Sequence, residues 1–101
     1  MFARNVTLRV KPNHVKDVAT KFEKEILPIL RKANGFRDQI TMFRNEETTA
    51  ISLWNNKAEL DAYNKDTDPQ VAKLLEPFIT GVPEVRTYEV STSTSHKYVA
   101  A

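Results

Sequence analysis

The sequence predicts an α+β fold of the ferredoxin-like, split β-α-β kind, in which an antiparallel sheet carries helices on one face. Segments near both ends of the chain and a central pair of segments show apolar residues at every second position, which is typical of half-buried strands. The segments between them repeat apolar residues at helical spacing. The resulting order is strand, helix, strand, strand, helix, strand. A chain of 101 residues is long enough for one such domain.

The first β-α unit is clearly bounded. Phe2–Val10 alternates apolar with polar residues and is predicted as a strand that ends before Pro12, which cannot continue a ladder. Helical spacing then predicts a helix over about residues 14–33. Pro28 interrupts this pattern and should kink the helix near its last turn. Gly35 follows directly and supplies the left-handed residue that ends the helix.

Two central segments predict an antiparallel hairpin. Phe36–Arg44 alternates, with Phe36, Ile40 and Met42 predicted on one face of the second strand. A short polar turn leads to the third strand, which is predicted over residues 48–54.

The third strand has apolar or small residues on both faces, which is typical of a central strand. Ile51 and Leu53 lie on one face, while Ala50, Ser52 and Trp54 lie on the other. Two helices can cover only one face of a sheet, so the second face needs another cover. The simplest cover is the sheet of a second copy, which predicts a homodimeric α+β barrel.

The second helical region begins at a recognisable cap. Asn56 precedes the helix, and Glu59 lies three residues later, which is the spacing of a capping box. Pro69 is well placed to start another helical segment, predicted to run to Gly81.

The last strand is predicted over residues 84–92, with Arg86 and Tyr88 on one face. Residues 93–101 form a polar tail that is expected either to be disordered or to pair along a sheet edge. The sequence therefore predicts one domain over residues 1–92 and a tail over residues 93–101.

Composition excludes several classes of function. The net charge of +2 comes from Lys and Arg spread among acidic residues, so no basic face for nucleic acid is predicted. Without cysteine there are no disulfides and no thiolate catalysis. No apolar run is long enough to cross a membrane, and no signal peptide is evident, so a cytoplasmic location is expected. The two isolated histidines, His14 and His96, make a poor metal site, and none is predicted.

Three short stretches carry a resemblance to a known family. They are Phe2-Ala3-Arg4-Asn5, Leu27-Pro28 followed by Gly35-Phe36, and Ala50-Ile51-Ser52-Leu53-Trp54 with its capped helix. The chain resembles the dimeric α+β barrel proteins of the antibiotic biosynthesis monooxygenase domain family in these stretches and in the order of its strands and helices. The resemblance covers about residues 2–92. The resemblance implies a homodimer that takes a small apolar or aromatic molecule. It also implies oxidation by O2 with neither metal nor flavin, and therefore no cofactor.

Some members of that family open the haem ring. They use an Asn on the first strand, a Trp at the end of the third, and a helix His that ligates iron. Trp54 matches the Trp, and Asn5 matches the Asn unless the alignment shifts by one residue, which puts Arg4 there instead. The stretch that corresponds to the His contains none, running Val71-Ala72-Lys73-Leu74-Leu75, and this argues against haem degradation.

The candidate catalytic residues are Trp54, Asn5 and Arg4. Trp54 offers a rigid apolar wall and one N–H donor, although a core residue at a strand end is the plainer interpretation. Asn5 could orient a carbonyl, and Arg4 or Arg86 could stabilise an enolate, or they could form structural contacts. The predicted substrate-binding residues are Phe22, Ile26, Leu74, Phe78, Tyr88 and Arg86.

Three functional hypotheses remain open, and the third of them is a purely structural or regulatory dimer that works through a face of its sheet. The first is a cofactor-independent monooxygenase that acts on an aromatic or polyketide-like molecule in a pocket between sheet and helices. The second is a non-catalytic, small-ligand-binding or stress-associated dimer. The sequence identifies no general base, which weakens the first hypothesis.

Overall fold

The computed structural model describes residues 1–100. A four-stranded antiparallel sheet, in the order β2-β3-β1-β4, carries the helices on one face, which confirms the predicted fold class. The first half contains β1 (Phe2–Val10), α1 (Val15–Lys21), a π-helical turn (Phe22–Ile26), α2 (Leu27–Arg31), β2 (Phe36–Arg44) and β3 (Glu47–Trp54). The second half contains α3 (Lys57–Asp66), α4 (Asp68–Leu75), a 3₁₀ turn (Glu76–Phe78), β4 (Ile79–Glu89), β5 (Thr92–Ser93) and β6 (Tyr98–Val99).

The two central strands set the register of the sheet. Arg4 of β1 lies opposite Ser52 of β3, and Val6 lies opposite Ala50. Because opposite residues share a face, these side chains all point toward the helices, and Asn5 points to the other face, hereafter the open face. Arg4 and Ser52 are buried, as expected for side chains beneath the helices.

The edge strand β2 departs from the predicted alternation. Phe36 and Asp38 lie opposite Trp54 and Leu53, so Arg37 is an extra residue that forms a bulge. Phe36 therefore faces the helices, whereas Ile40, beyond the bulge, lies on the open face and is about half exposed. The prediction that Phe36 shares a face with Ile40 and Met42 is wrong, because one inserted residue reverses every later side chain.

The long helix is predicted correctly in extent but not in geometry. Between α1 and α2 it widens into a π turn, in which the N–H of Leu27 donates to the carbonyl of Phe22, five residues earlier. Pro28 follows directly, has no N–H, and would crowd the carbonyl of Lys24 in a regular helix. Widening the preceding turn relieves both problems. The irregularity therefore lies one turn before the predicted kink.

The capping box is confirmed. The Asn56 side chain accepts from the Glu59 N–H over 2.9 Å, and its amide donates to the Glu59 carboxylate over 2.8 Å. Gly35 lies against this box with a φ of +83°, so the turn that ends α2 and the start of α3 are packed together.

The last strand begins earlier than predicted. β4 starts at Ile79 rather than residue 84 and ends at Glu89, so the helical segment that was predicted to reach Gly81 ends at Phe78 instead. Gly81 adopts a left-handed φ of +71°, and β4 lies at an edge of the sheet, where the missing N–H of Pro83 is tolerated.

The polar tail pairs with itself. Thr92–Ser93 and Tyr98–Val99 form a two-stranded hairpin, which matches neither disorder nor pairing along an edge of the main sheet. The N-terminal ammonium group donates to the Tyr98 hydroxyl over 3.1 Å, and the Val90 N–H donates to the Met1 carbonyl over 2.9 Å. Ala101, the end of the predicted tail, lies outside the described residues.

The core lies between the helices and the sheet. Trp54 is fully buried at its centre, with ring centroids 5.6 Å from Phe36 and 4.8 Å from Tyr63. No helix within residues 1–100 is long and apolar enough to cross a membrane. The buried apolar residues are Leu8, Val10, Val18, Phe22, Ile26, Leu30, Ala50, Trp54, Leu60, Tyr63, Val71 and Leu75.

Candidate functional site

A small cavity lies between the helices and the sheet. Its volume is about 40 Å³, which leaves room for roughly two or three water molecules. Most of its wall is apolar, and the polar groups come from few side chains. The lining residues are Arg4, Val6, Phe22, Ile26, Leu30, Gln39, Ala50, Ser52, Tyr63 and Val71.

Three of the polar side chains form a row across the sheet. Arg4 lies opposite Ser52 in the β1–β3 pair, and Ser52 lies opposite Gln39 in the β3–β2 pair. They therefore project from neighbouring strands into the same cavity, and Tyr63 of α3 closes it from the helix side. A few convergent polar groups in an apolar cavity are typical of small-molecule sites.

Arg4 is held in place by an ion pair and a ring. Its Nη2 is 3.1 Å from Asp68 Oδ1, and its guanidinium lies 5.5 Å from the centroid of the Tyr63 ring. The Nε of Arg4 is buried and has no hydrogen-bond partner among the described residues. Arg4 can therefore offer positive charge and an unused donor to a bound molecule.

Tyr63 remains protonated in this setting. Its hydroxyl donates to Asp68 Oδ1 over 3.4 Å. Burial raises the pKa of Tyr63 well above its ordinary value, and the negative charge of Asp68 raises it further, against a smaller opposing effect of Arg4. At neutral pH Tyr63 is thus a hydrogen-bond donor and not a base.

Trp54 supports the cavity from behind. Its indole N–H donates to the Ser52 hydroxyl over 2.9 Å, and its ring stacks at a tilt on Tyr63. Trp54 is not among the lining residues of the cavity. Trp54 contacts Ser52 and Tyr63, which both line the cavity, and so it orients them.

The residues proposed from sequence divide between two faces. Arg4, Phe22 and Ile26 line the cavity, whereas Leu74 and Phe78 pack against the core without lining it. Three others lie on the open face, around a separate polar cleft of about 240 Å³. These are Asn5, Arg86 and Tyr88.

Gln39 and Ser52 are site residues that the sequence analysis did not propose. Alternation along β3 places Ser52 on the face of Trp54, so the sequence contained a signal for it. Gln39 reaches this face only through the β2 bulge at Arg37, which periodicity does not reveal.

A groove adjoins the cavity on its β2 side. Its volume is about 180 Å³, and it shares two wall residues, Phe22 and Gln39, with the cavity. Phe22, Glu23 and Ile26 of the π turn line one or both spaces, and π turns often occur at functional sites. The lining residues of this outer groove are Ala19, Phe22, Glu23, Leu27, Gln39, Thr41 and Phe43.

The site carries little acid–base capacity of its own. No His, Asp or Glu is among the residues that line the cavity within the described chain. Across residues 1–100, no group of three or more His, Asp or Glu side chains is placed to hold a metal ion.

Comparison with known proteins identifies the fold. No protein-family model matches the chain, and no curated protein matches its sequence. Among solved structures, a protein of unknown function from Nitrosomonas europaea superposes with a TM-score of 0.77 at 17% identity, covering 92% of this chain and 91% of that one. A proposed antibiotic biosynthesis monooxygenase from Deinococcus radiodurans gives 0.77 at 14% identity, covering 92% and 95%.

A monooxygenase of Streptomyces coelicolor, solved in complex with the ligand nanaomycin D, is also similar. It gives a TM-score of 0.71 at 18% identity, covering 91% of this chain and 88% of that one. The chain thus has the fold of the antibiotic biosynthesis monooxygenase structures, as its sequence indicates. At these identities the likeness concerns the fold.

Proposed function

We propose that this protein binds a small aromatic molecule between its helices and sheet and oxidises it with O2, without a cofactor of its own. The row of Arg4, Ser52 and Gln39 beneath Tyr63, in an otherwise apolar cavity, is the observation that carries this proposal. The fold shared with a monooxygenase that binds nanaomycin D supports it.

The proposed substrate has a CH2 group activated by a neighbouring carbonyl or aryl ring. Loss of one proton gives an enolate, whose oxygen would face the guanidinium of Arg4. The single proton of the Tyr63 hydroxyl, which points to Asp68 in this structure, would turn from Asp68 to the enolate oxygen. The carbanion reacts with O2, so that the carbon becomes a carbonyl while the second oxygen atom and both hydrogens leave as water. O2 is reduced by the four electrons that the carbon loses. Trp54 would act by positioning Ser52 and Tyr63.

The protein would favour ionisation of the substrate instead of removing the proton itself. The cavity lining offers no carboxylate or imidazole among the described residues. A guanidinium beside the substrate lowers the pKa of an acidic C–H or phenol by stabilising the anion. The substrate must therefore already be acidic, so that solvent can take its proton.

Two observations favour a second candidate function, in which the protein binds a small apolar ligand without catalysis. Arg4 is already paired with Asp68, and the cavity of about 40 Å³ must widen before it admits a ring. In this alternative the polar row only recognises the ligand.

Measuring oxygen uptake with anthrone separates the monooxygenase from the non-catalytic binder. Anthrone has a CH2 group between two aromatic rings and opposite a carbonyl. The wild type should consume one O2 per ketone formed, and Tyr63→Phe should lower kcat about 100-fold through loss of a donor to the enolate. Tyr98→Phe in the tail is the matched control and should keep the wild-type rate. If uptake equals the protein-free rate while anthrone quenches Trp54 fluorescence, the binding alternative holds.

We also propose a homodimer that is closed by the open face of the sheet. That face exposes Ile40, Met42 and Tyr88, which are 51%, 45% and 49% exposed, and it includes the half-buried Ile51 and Leu53. A second copy of the same face would cover these apolar groups, and a two-fold axis pairs like surfaces.

A further inference from the structure

We infer that Gln39 is the specificity-determining residue of this site and that it selects a neutral phenol. This inference rests on the proposed function, because it concerns the same cavity. It adds the substrate class and assigns a role to a residue on an edge strand.

Gln39 presents one unused hydrogen-bonding atom. Its Nε2 donates to the Thr41 hydroxyl over 2.9 Å. Its Oε1 is buried and has no partner among residues 1–100. A buried acceptor without a partner destabilises the protein, because it has lost its hydrogen bonds to water. A ligand whose hydroxyl donates a hydrogen bond to this oxygen gives it a partner, whereas a ligand without a donor leaves it unpaired.

The position of Gln39 makes this contact selective. Gln39 and Phe22 form the wall between the inner cavity and the outer groove. Phe22 comes from the π turn, and Gln39 follows the β2 bulge, so both stand at irregular points of the backbone. A molecule that passes from the groove toward Arg4 must contact both.

The volumes of the outer groove and the inner cavity indicate where each part of the ligand would lie. The outer groove measures about 180 Å³. A buried cavity of about 150 Å³ in another protein holds one benzene. The inner cavity, about 40 Å³, admits only a small group such as a hydroxyl or carbonyl. The rings would thus lie in the groove between Phe22, Leu27 and Phe43, with the hydroxyl at Gln39.

Charge at the groove favours a neutral ligand. Glu23 is exposed and lines the groove, so a carboxylate on the ligand would meet a like charge. The cation of Arg4 lies deeper, in the inner cavity. A phenol that enters uncharged avoids the repulsion and can still become an anion beside Arg4.

Isothermal titration in oxygen-free buffer tests the inference with two compounds of similar size. 1-Naphthol carries a donor, and 1-fluoronaphthalene carries none. The wild type should bind 1-naphthol about 10-fold more tightly, in keeping with one recovered hydrogen bond. Gln39→Met should bind the two compounds alike. Gln70→Met, at an exposed position on α4, is the matched control and should keep the 10-fold preference.

Three results would overturn the inference: equal affinities in the wild type, a preference that survives in Gln39→Met, or no binding of either compound. The outcome is independent of turnover. If the Gln39-dependent preference is found but no aromatic substrate drives oxygen uptake, the specificity role stands and the monooxygenase proposal fails.

Discussion

The indole N–H of Trp54 donates to the hydroxyl of Ser52 over 2.9 Å, and Ser52 lines the cavity while Trp54 does not. Ser52→Ala removes the acceptor and leaves the buried N–H unpaired. We expect the free energy of unfolding to fall by about 1–3 kcal/mol, measured by urea denaturation. Ser91→Ala, at an exposed position, should change it by less than about 0.5 kcal/mol. Equal effects of the two variants would show that the Trp54 bond contributes nothing.

The Arg4–Asp68 pair should stabilise the fold more than a surface pair does. Its side chains are only 10% and 28% exposed, so Asp68→Asn would leave a guanidinium with little access to water. We expect a loss of about 2 kcal/mol, below the range for fully buried pairs because Asp68 is partly solvated. Asp61→Asn breaks the exposed pair with Lys57 and should cost about 0.5 kcal/mol or less. A smaller loss at residue 68 than at residue 61 would contradict the prediction.

The raised pKa of Tyr63 predicts a loss of stability in alkali. Burial holds the proton on Tyr63 in the folded state, while in the unfolded chain it leaves near the ordinary pKa of 10.0. Above that pH the folded state binds more protons, so the free energy of unfolding falls as pH rises, by up to about 1.4 kcal/mol per pH unit. Below pH 10 this contribution is fully present. Urea denaturation from pH 8 to 11 measures it, and Tyr63→Phe should remove this part of the slope. An unchanged slope in Tyr63→Phe would refute the assignment.

Substitutions at Gly35 and Gly81 separate the cost of a steric clash from the cost of backbone strain. Both have left-handed φ values, +83° and +71°, so either Gly→Ala change is strained. A Cβ on Gly35 would also lie 2.7 Å from the Cβ of Glu59, which the helix holds in place, whereas a Cβ on Gly81 meets nothing within 4 Å. Gly81→Ala should cost about 1 kcal/mol and Gly35→Ala at least about 1 kcal/mol more, measured by thermal and urea unfolding. Equal costs would mean that Glu59 yields to the new methyl group.

The proposed dimer depends on the open face. Ile40→Glu places a charge on the apolar patch, next to Ile51, and burying it in an interface is unfavourable. Sedimentation velocity at micromolar concentration should show a dimer for the wild type and a monomer near 11.6 kDa for Ile40→Glu. Val82→Glu is the matched control, because Val82 lies in the irregular stretch of β4 between Thr80 and Glu84 that does not pair with β1, and it should stay dimeric. A monomeric wild type would exclude the closed barrel.

Much of the fold follows from local patterns. β1 was predicted with its observed bounds, the capping box lies where predicted, and alternation separated Ile51 and Leu53 from Trp54. These features depend on residues that are close in sequence, because each strand shows its two faces at every second position.

The site was predicted only in part, since its polar residues come from distant segments. Arg4 and Asp68 are 64 positions apart and meet only when α4 packs over β1. Alternation in β1 indicated that Asn5 lies on the face opposite Val6 and Leu8, and therefore that Arg4 lies on their face. It did not indicate that Arg4 lies opposite Ser52, which the strand register decided.

The sequence by itself therefore determined the order of elements, the two faces of the central strands and the capped start of α3, because periodicity and capping are local. Only the tertiary structure decided that Gln39 joins Ser52 and Arg4 in one row and that Trp54 stands behind the cavity. It also decided the π turn beside Pro28 and the early start of β4. These features depend on a bulge, a strand register and a helix irregularity. Each of them is determined only when distant segments pair and pack.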